Sequence, residues 1–245
     1  MPTKVIGRKY IIVGASSGIG FELTRQLADQ GAFVAALARR ADRIQPLADQ
    51  HPGRVFLFAH DVTDTDSIPQ MFQLCTDALG GLDGIIYASG VMPDVGPHEY
   101  STQKDLQMVE VNIKGLIAWL NCAAARMEGT KYGSIVAIGS VAGERGRQAQ
   151  PVYNASKAFL HTYLEALRNR LAKHGVKVVT IKPGPVQTEM TAHLGLKNAM
   201  SVHTAARKII DRLDRTGEHF LSPAHAILFA IIRNIPSPIF KFLKI

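Results

Sequence analysis

Short β-branched runs alternate with longer amphipathic segments along this chain, and that alternation restricts the fold more than any other feature. Buried strands are read at 10–13, 33–37, 55–58, 82–87, 134–138, 176–181 and 219–221. Helices are read at 18–30, 41–50, 67–79, 104–127, 153–174 and 203–215, each with apolar residues recurring at helical spacing. Strands separated by helices of this length must be joined by right-handed crossovers, which lays them parallel and covers both sheet faces. No linker, repeat or low-complexity stretch interrupts the pattern. The expectation is one doubly wound α/β domain over 1–245, with a parallel sheet of about seven strands.

Composition supports a large core: 47% of 245 residues are apolar. The two cysteines, Cys75 and Cys122, form neither a disulfide framework nor a zinc spacing, so no metal is expected and the compartment is read as reducing and cytoplasmic. No apolar run approaches the ~20 residues of a membrane span, and the first apolar run leads into a glycine loop rather than a signal-peptide layout. Net charge is +8, which favours a phosphorylated ligand or an anionic surface. No nucleic-acid module is recognised.

Gly14-Ala15-Ser16-Ser17-Gly18-Ile19-Gly20 lies between the first strand and the first helix. Glycines there admit a tight turn and let backbone approach a ligand, and the helix points free N–H groups at the same spot, which suits a pyrophosphate. A strand, this loop and a helix are the start of a Rossmann-type domain. A second pattern, Tyr153-Asn154-Ala155-Ser156-Lys157, follows Ser140. Residues at i and i+4 share a helix face, and an ammonium beside a phenol makes the phenolate cheaper. The same spacing recurs at Tyr100 and Lys104, so spacing alone is a weak signal.

The order of these motifs resembles the short-chain dehydrogenase/reductase family in its shorter single-domain form, over roughly residues 9–190. The resemblance implies that Gly14, Ser16, Ser17, Gly18, Ile19 and Gly20 cradle a nicotinamide dinucleotide. It implies that Asp61 and Val62 meet the adenine, and that Gly90, Pro183, Gly184, Val186 and Thr188 line the nicotinamide end. Asn112, Ser140, Tyr153 and Lys157 become the catalytic set, with Tyr153 and Lys157 also touching the cofactor. Tyr100 and Lys104 precede the long helix and drop out. Two departures stand out: Val13 replaces a threonine, and Tyr87-Ala88-Ser89-Gly90 replaces Asn-Asn-Ala-Gly. We expect Val13 and Ala88 to pack where the family makes a hydrogen bond, since replacing both partners by apolar groups is nearly neutral.

The second strand ends Leu37-Ala38-Arg39-Arg40. An acid in place of Ala38 would bind the ribose hydroxyls of NAD, whereas guanidinium groups bind a 2′-phosphate through paired bonds. NADP(H) is therefore expected over NAD(H), with Arg39 the main contact and Arg40 the second. The implied reaction interconverts a carbonyl and a secondary alcohol, the proton coming from Tyr153, with Lys157 lowering the tyrosine pKa and Asn112 positioning a water. The alternative is a catalytically silent NADP-binding regulator of the same fold.

Residues 185–202 are expected to form a substrate flap, apolar through Met190, Leu194, Leu196 and Met200. Arg145 and Arg147 flank the entrance, as solvated side chains or as contacts for an acidic group. Residues 223–245 form an apolar, basic tail: no acid follows Glu218, while Arg233, Lys241 and Lys244 do. Three readings of it stand: packing over the pocket or a second subunit, contact with an anionic membrane surface, or plain core packing or disorder. The helices at 104–127 and 153–174 carry the family's dimer interface, so a homodimer is expected and a tetramer remains open.

Overall fold

The computed structural model describes residues 3–96, 98–195 and 198–243; Leu196 of the expected flap and Lys244 of the tail lie outside them. The described residues form one seven-stranded parallel sheet: β1 (Lys9–Val13), β2 (Phe33–Ala38), β3 (Val55–Ala59), β4 (Gly84–Tyr87), β5 (Ser134–Ile138), β6 (Lys177–Lys182) and β7 (Gly217–Phe220). Their spatial order is 3-2-1-4-5-6-7. The chain thus winds outward from β1 in both directions, and the reversal between β1 and β4 opens a crevice at the strands' carboxyl ends.

Alternate strand residues feed two separate cores, as a period of two requires. Ile12, Val34, Ile86, Val136 and Val179 face one layer, covered by Leu23 and Leu27 of α1 (Gly18–Asp29) and by Ala205 and Ile209 of α7 (Val202–Ile210). Ile11, Ala35, Ile85, Ile135 and Val178 face the other. That layer is covered by α3 (Ile68–Leu79), α5 (Gly115–Thr130) and α6 (Pro151–Leu171), through Phe72, Trp119 and Leu164. Trp119 and Leu164 are fully buried, each contributing about 2–3 kcal/mol by leaving water.

Three sequence expectations are corrected here. The segment 41–50 is a 3₁₀ turn (Ala41–Ile44) followed by a short α2 (Gln45–Gln50), because Pro46 at the start of α2 has no N–H to bond backward. The helix at 104–127 is two helices, α4 (Thr102–Val109) and α5, joined by a π turn at Glu110–Lys114. The buried Tyr87 hydroxyl donates to Val111 O at 2.9 Å, engaging a carbonyl of the turn from outside the helix. Gly115 then fits closely, since a Cβ there would lie 2.8 Å from Val62 O and 2.9 Å from Tyr87 Oη. Finally, Val13 and Ala88 do not pack together: Val13 belongs to the layer of Tyr87, Ala88 packs against the opposite one, and Ala88 N donates to Val13 O at 2.9 Å. The departing segment still carries two hydroxyls, those of Tyr87 and Ser89, which interact with each other.

The described part of the tail is folded onto the body. Helix α8 (Pro223–Asn234) and the single turn α9 (Ser237–Phe240) pack on the body through Phe229 and Ile232, which meet Val141.

Candidate active site

The crevice between β1 and β4 continues into a cleft of about 550 Å³. Its floor at one end is the glycine loop. Gly14 has φ +92°, and a Cβ on it would lie 2.6 Å from Ser89 N. A Cβ on Gly20 would lie 2.1 Å from Gly14 O. Both positions accept only glycine, and the cradle they leave open suits the backbone-lined pocket of a dinucleotide phosphate. Ser16, Ser17, Gly18 and Ile19 line the same end, as do Asp61 and Val62. Thr188 closes the loop from above: a Cβ on Gly18 would sit 3.3 Å from its Cγ2.

Arg39 and Arg40 line this end of the cleft. Arg39 approaches Asp61 Oδ2 at 3.8 Å, a loose pair on an exposed side chain. Arg40 is 3.9 Å from Glu189 Oε2, and Arg43 bonds Glu189 at 3.0 Å. Arg43 was missed from sequence, although its position one turn after Arg39 and Arg40 is a signal. Asp61 accepts from Thr63 N and Thr63 Oγ1 at 3.0 and 2.9 Å, which holds the turn after β3.

At the other end, α6 and the loop after β5 bring Ser140, Tyr153 and Lys157 to one wall of the cleft. Ser140 caps the 3₁₀ turn Val141–Glu144, accepting from Ala142 N at 3.0 Å. Its hydroxyl also hydrogen-bonds Tyr153. Lys157 Nζ donates to Ile138 O at 3.0 Å and lies 5.6 Å from the centre of the Tyr153 ring. Burial pushes the Lys157 pKa down to about 8. Burial likewise raises that of Tyr153, against the opposing effects of the Ser140 hydrogen bond and the Arg147 charge. The net direction is opposite to the sequence expectation, because removing the phenol from water outweighs the Ser140 hydrogen bond and the Arg147 charge.

Asn112 sits in the π turn and is buried. Its Oδ1 accepts from Val91 N at 2.8 Å, and its Nδ2 donates to Val91 O at 2.9 Å and to Ser156 Oγ at 3.3 Å. Ser156 Oγ in turn donates to Tyr153 O at 2.8 Å. A Cβ on Gly90 would lie 3.4 Å from Asn112 Oδ1 and 3.6 Å from Lys157 Nζ, so both converge on Gly90. Ser156 was not singled out from sequence; its position between Tyr153 and Lys157 hid a bond to a helix 44 residues away.

The arginines at the entrance differ from the expectation. Arg145 is not a solvated contact for substrate. Its guanidinium donates to Arg233 O and Ile235 O at 2.9 and 2.7 Å and stacks 4.4 Å from the centre of the Phe240 ring. It thereby caps the end of α8. Arg147 is half-buried, and both Nε and Nη2 donate to Asn154 Oδ1, at 3.3 and 3.1 Å. Tyr100 is 95% exposed and precedes α4, while Lys104 pairs with Glu99 at 2.7 Å; neither Tyr100 nor Lys104 lines the cleft.

Behind the serine loop lies a buried ionic cluster with no sequence signal. Lys182 Nζ is 2.6 Å from both Glu144 Oε1 and Glu218 Oε2, and Arg233 Nη1 is 3.4 Å from Glu144 Oε2. His161 Nδ1 is 3.4 Å from Glu144, but burial, then Lys182 and the other cations, lower its pKa to about 3, so it stays neutral. His225 of α8 packs on Gly184, where an added Cβ would lie 2.3 Å from its Nδ1.

The profile of the short chain dehydrogenase family matches residues 8–199. The chain belongs to this family. Among its relatives, an uncharacterised oxidoreductase of Staphylococcus aureus strain N315 is 33% identical over 183 residues, covering 74% of this chain and 79% of that protein. One from Staphylococcus epidermidis is 31% identical over 188 residues, 77% of this chain and 82% of that protein. A short chain dehydrogenase of Burkholderia cenocepacia, crystallised in complex with NADP, superposes with a TM-score of 0.84 at 21% identity, covering 97% of each chain. A Mycobacterium marinum short-chain type dehydrogenase/reductase gives a TM-score of 0.82 at 24% identity, covering 91% of this chain and 96% of that one. The chain is an oxidoreductase of the short-chain type, and the solved structures share its fold.

Proposed function

We propose that this short-chain dehydrogenase uses NADP(H) to interconvert a carbonyl and a secondary alcohol on an apolar substrate. One observation carries the reading: Ser140, Tyr153 and Lys157 share one end of a cleft whose other end is a glycine cradle flanked by arginines. A bound reduced nicotinamide supplies the hydride. Tyr153, a phenol that is protonated at neutral pH, gives its proton to the carbonyl oxygen. Ser140 donates a second hydrogen bond to that oxygen and fixes its position. Lys157 would hold the nicotinamide ribose and returns a proton to Tyr153. Asn112, with Ser156, holds the π turn and Val91 against this wall, a positioning role in addition to the water that the family resemblance implies. Gly14, Gly18 and Gly20 would hold the pyrophosphate, Asp61 and Val62 the adenine, and Gly184, Val186 and Thr188 the carboxamide end. Residues 185–202 act as the flap, with Met190 and Thr191 already lining the cleft.

NADP(H) is preferred because Ala38 leaves no acid where a ribose-binding carboxylate would stand, and Arg39 is only loosely paired. That the Burkholderia relative was crystallised with NADP is consistent with this. Arg39→Ser is expected to weaken NADPH binding by roughly 10–100-fold, the worth of one charge-assisted hydrogen bond, and to leave NADH unchanged. Fluorescence titration with both nucleotides reads the ratio, and a wild type that prefers NADH would reverse the assignment.

Arg147 supplies the cation that works on Tyr153. Its removal should make the phenolate harder to form. Arg147→Gln is therefore expected to move the alkaline rise of alcohol oxidation to higher pH, with Arg147→Lys restoring most of it. A pH profile of kcat unchanged in Arg147→Gln would remove Arg147 from the account. The face of α4, α5 and α6, with Phe159 stacked on Tyr163, is proposed as the homodimer surface.

A further inference from the structure

Helix α8 is apolar on two opposite sides. Phe229 and Ile232 face the body and are buried. Ile227 and Ile231, on the far side, are 66% and 61% exposed. Phe242, beyond α9, is 77% exposed, and Leu228 and Ile239 are exposed as well. Those five account for half of the ten large apolar side chains exposed among the described residues, and they fall within a single stretch at the end of the chain. A groove lined by Ile227, Ile231, Ile235, Ile239 and Leu243 runs along them. A surface helix normally turns one apolar stripe inward and a polar face to water; a contiguous outward apolar patch marks a contact surface.

The charges around the patch choose its occupant. No aspartate or glutamate occurs after Glu218, while Arg233, Lys241 and Lys244 do. Arg233 is 57% exposed beyond its contact with Glu144, and Lys241 lies 4.9 Å from the centre of the exposed Phe242 ring. In a two-fold contact this face would meet its own copy, setting cations against cations with no aspartate or glutamate of the tail between them. An anionic bilayer offers both things the face lacks: hydrocarbon for the apolar side chains and negative charge for the basic rim. We propose that α8 and the segment after it dock this oxidoreductase on an anionic membrane surface. No helix among the described residues is long and apolar enough to cross a membrane, so the contact lies in the interface.

The docked face is fastened to the active-site rim. Arg145 caps the carboxyl end of α8, Arg233 reaches Glu144, and His225 rests on Gly184. Val141, next to Ser140, packs on Phe229 and Ile232. Docking therefore leaves the loop that carries Ser140 one helix behind the lipid, with α8 joining the two.

Flotation of the full chain tests this, using phosphatidylcholine vesicles with and without about 30% phosphatidylserine at roughly 0.1 M salt. The protein is expected to float with the anionic vesicles and remain below with the neutral ones. Combined Ile227→Glu, Ile231→Glu and Phe242→Glu should cut the bound fraction on the order of tenfold or more, with a thermal midpoint close to wild type. Lys241→Glu, which leaves the apolar face intact, should reduce anionic binding alone and covers the case in which the triple variant folds poorly. Wild type that fails to float with anionic vesicles overturns the proposal. So does flotation that none of these substitutions weakens, or a triple variant that loses an oligomer in light scattering while floating as before; the last outcome assigns the face to a second copy. None of these readouts depends on turnover.

Discussion

Tyr153→Phe is expected to lower kcat by about 10³-fold, the usual worth of a placed general acid, while NADPH binds as in wild type. The substitution removes one oxygen and keeps the ring. The backbone of residue 153 stays held, because Ser156 Oγ bonds its carbonyl and Asn112 bonds Ser156. Ser140 keeps its cap on Ala142 N. What disappears is the phenol proton, whose acidity burial lowers while the Ser140 hydrogen bond and the Arg147 charge pull back. Stopped-flow turnover combined with a nucleotide titration separates the chemical loss from any loss of binding. A loss confined to KM would place Tyr153 in substrate binding and leave the proton without a donor.

Lys157→Met should pair a gain in stability with a loss of activity. Lys157 is 6% exposed, and Ile138 O, at 3.0 Å, is its hydrogen-bond acceptor among the described residues. Burial lowers its pKa from 10.5 to about 8. The direction fixes the sign: the folded lysine holds its proton less tightly than the unfolded one, so the unfolded chain binds more protons between about pH 8 and 10.5. The burial penalty is thus full below about pH 8 and relieved as pH climbs toward 10.5. Its size is on the order of 3 kcal/mol. Methionine removes that penalty but strands the Ile138 carbonyl, which returns about 1–2 kcal/mol. A net gain of about 1–2 kcal/mol, or a few degrees in Tm, is expected at pH 7, shrinking toward pH 10. Over the same range kcat should fall by about 10²-fold or more. A variant less stable than wild type at pH 7 would mean that the ammonium has stabilising partners beyond Ile138.

Much of the fold was legible because its signal is local. The buried strands, the glycine loop and the i, i+4 pair of Tyr153 and Lys157 are each written within a few residues, and strand–helix alternation dictates a parallel sheet. What stayed hidden depends on contacts made after folding. The π turn at Glu110–Lys114 accompanies a Tyr87 hydroxyl that arrives from 24 residues away, so helical periodicity alone read one continuous helix. Arg145 looked like an entrance residue because its true partners, the carbonyls at the end of α8, lie 88 to 90 residues further on. The Lys182 cluster assembles from β6, β7, the serine loop and α8, four segments with no shared pattern. The direction of the Tyr153 shift was hidden for a related reason: spacing reveals Lys157, whereas burial sets the shift and the cation that opposes it is Arg147.

The central claim is that Tyr153 protonates a carbonyl as a hydride reaches its carbon. Incubation with NADPH deuterated at the reactive C4 position, over a panel of steroid, acyl-thioester, quinone and small aromatic ketones, tests it most directly by mass spectrometry. The account predicts deuterium on the carbinol carbon of at least one product with wild type, and its near-complete loss with Tyr153→Phe at unchanged NADPH affinity. Wild type that binds NADPH yet transfers no deuterium to any member, or a Tyr153→Phe variant that transfers it as fast as wild type, would contradict it.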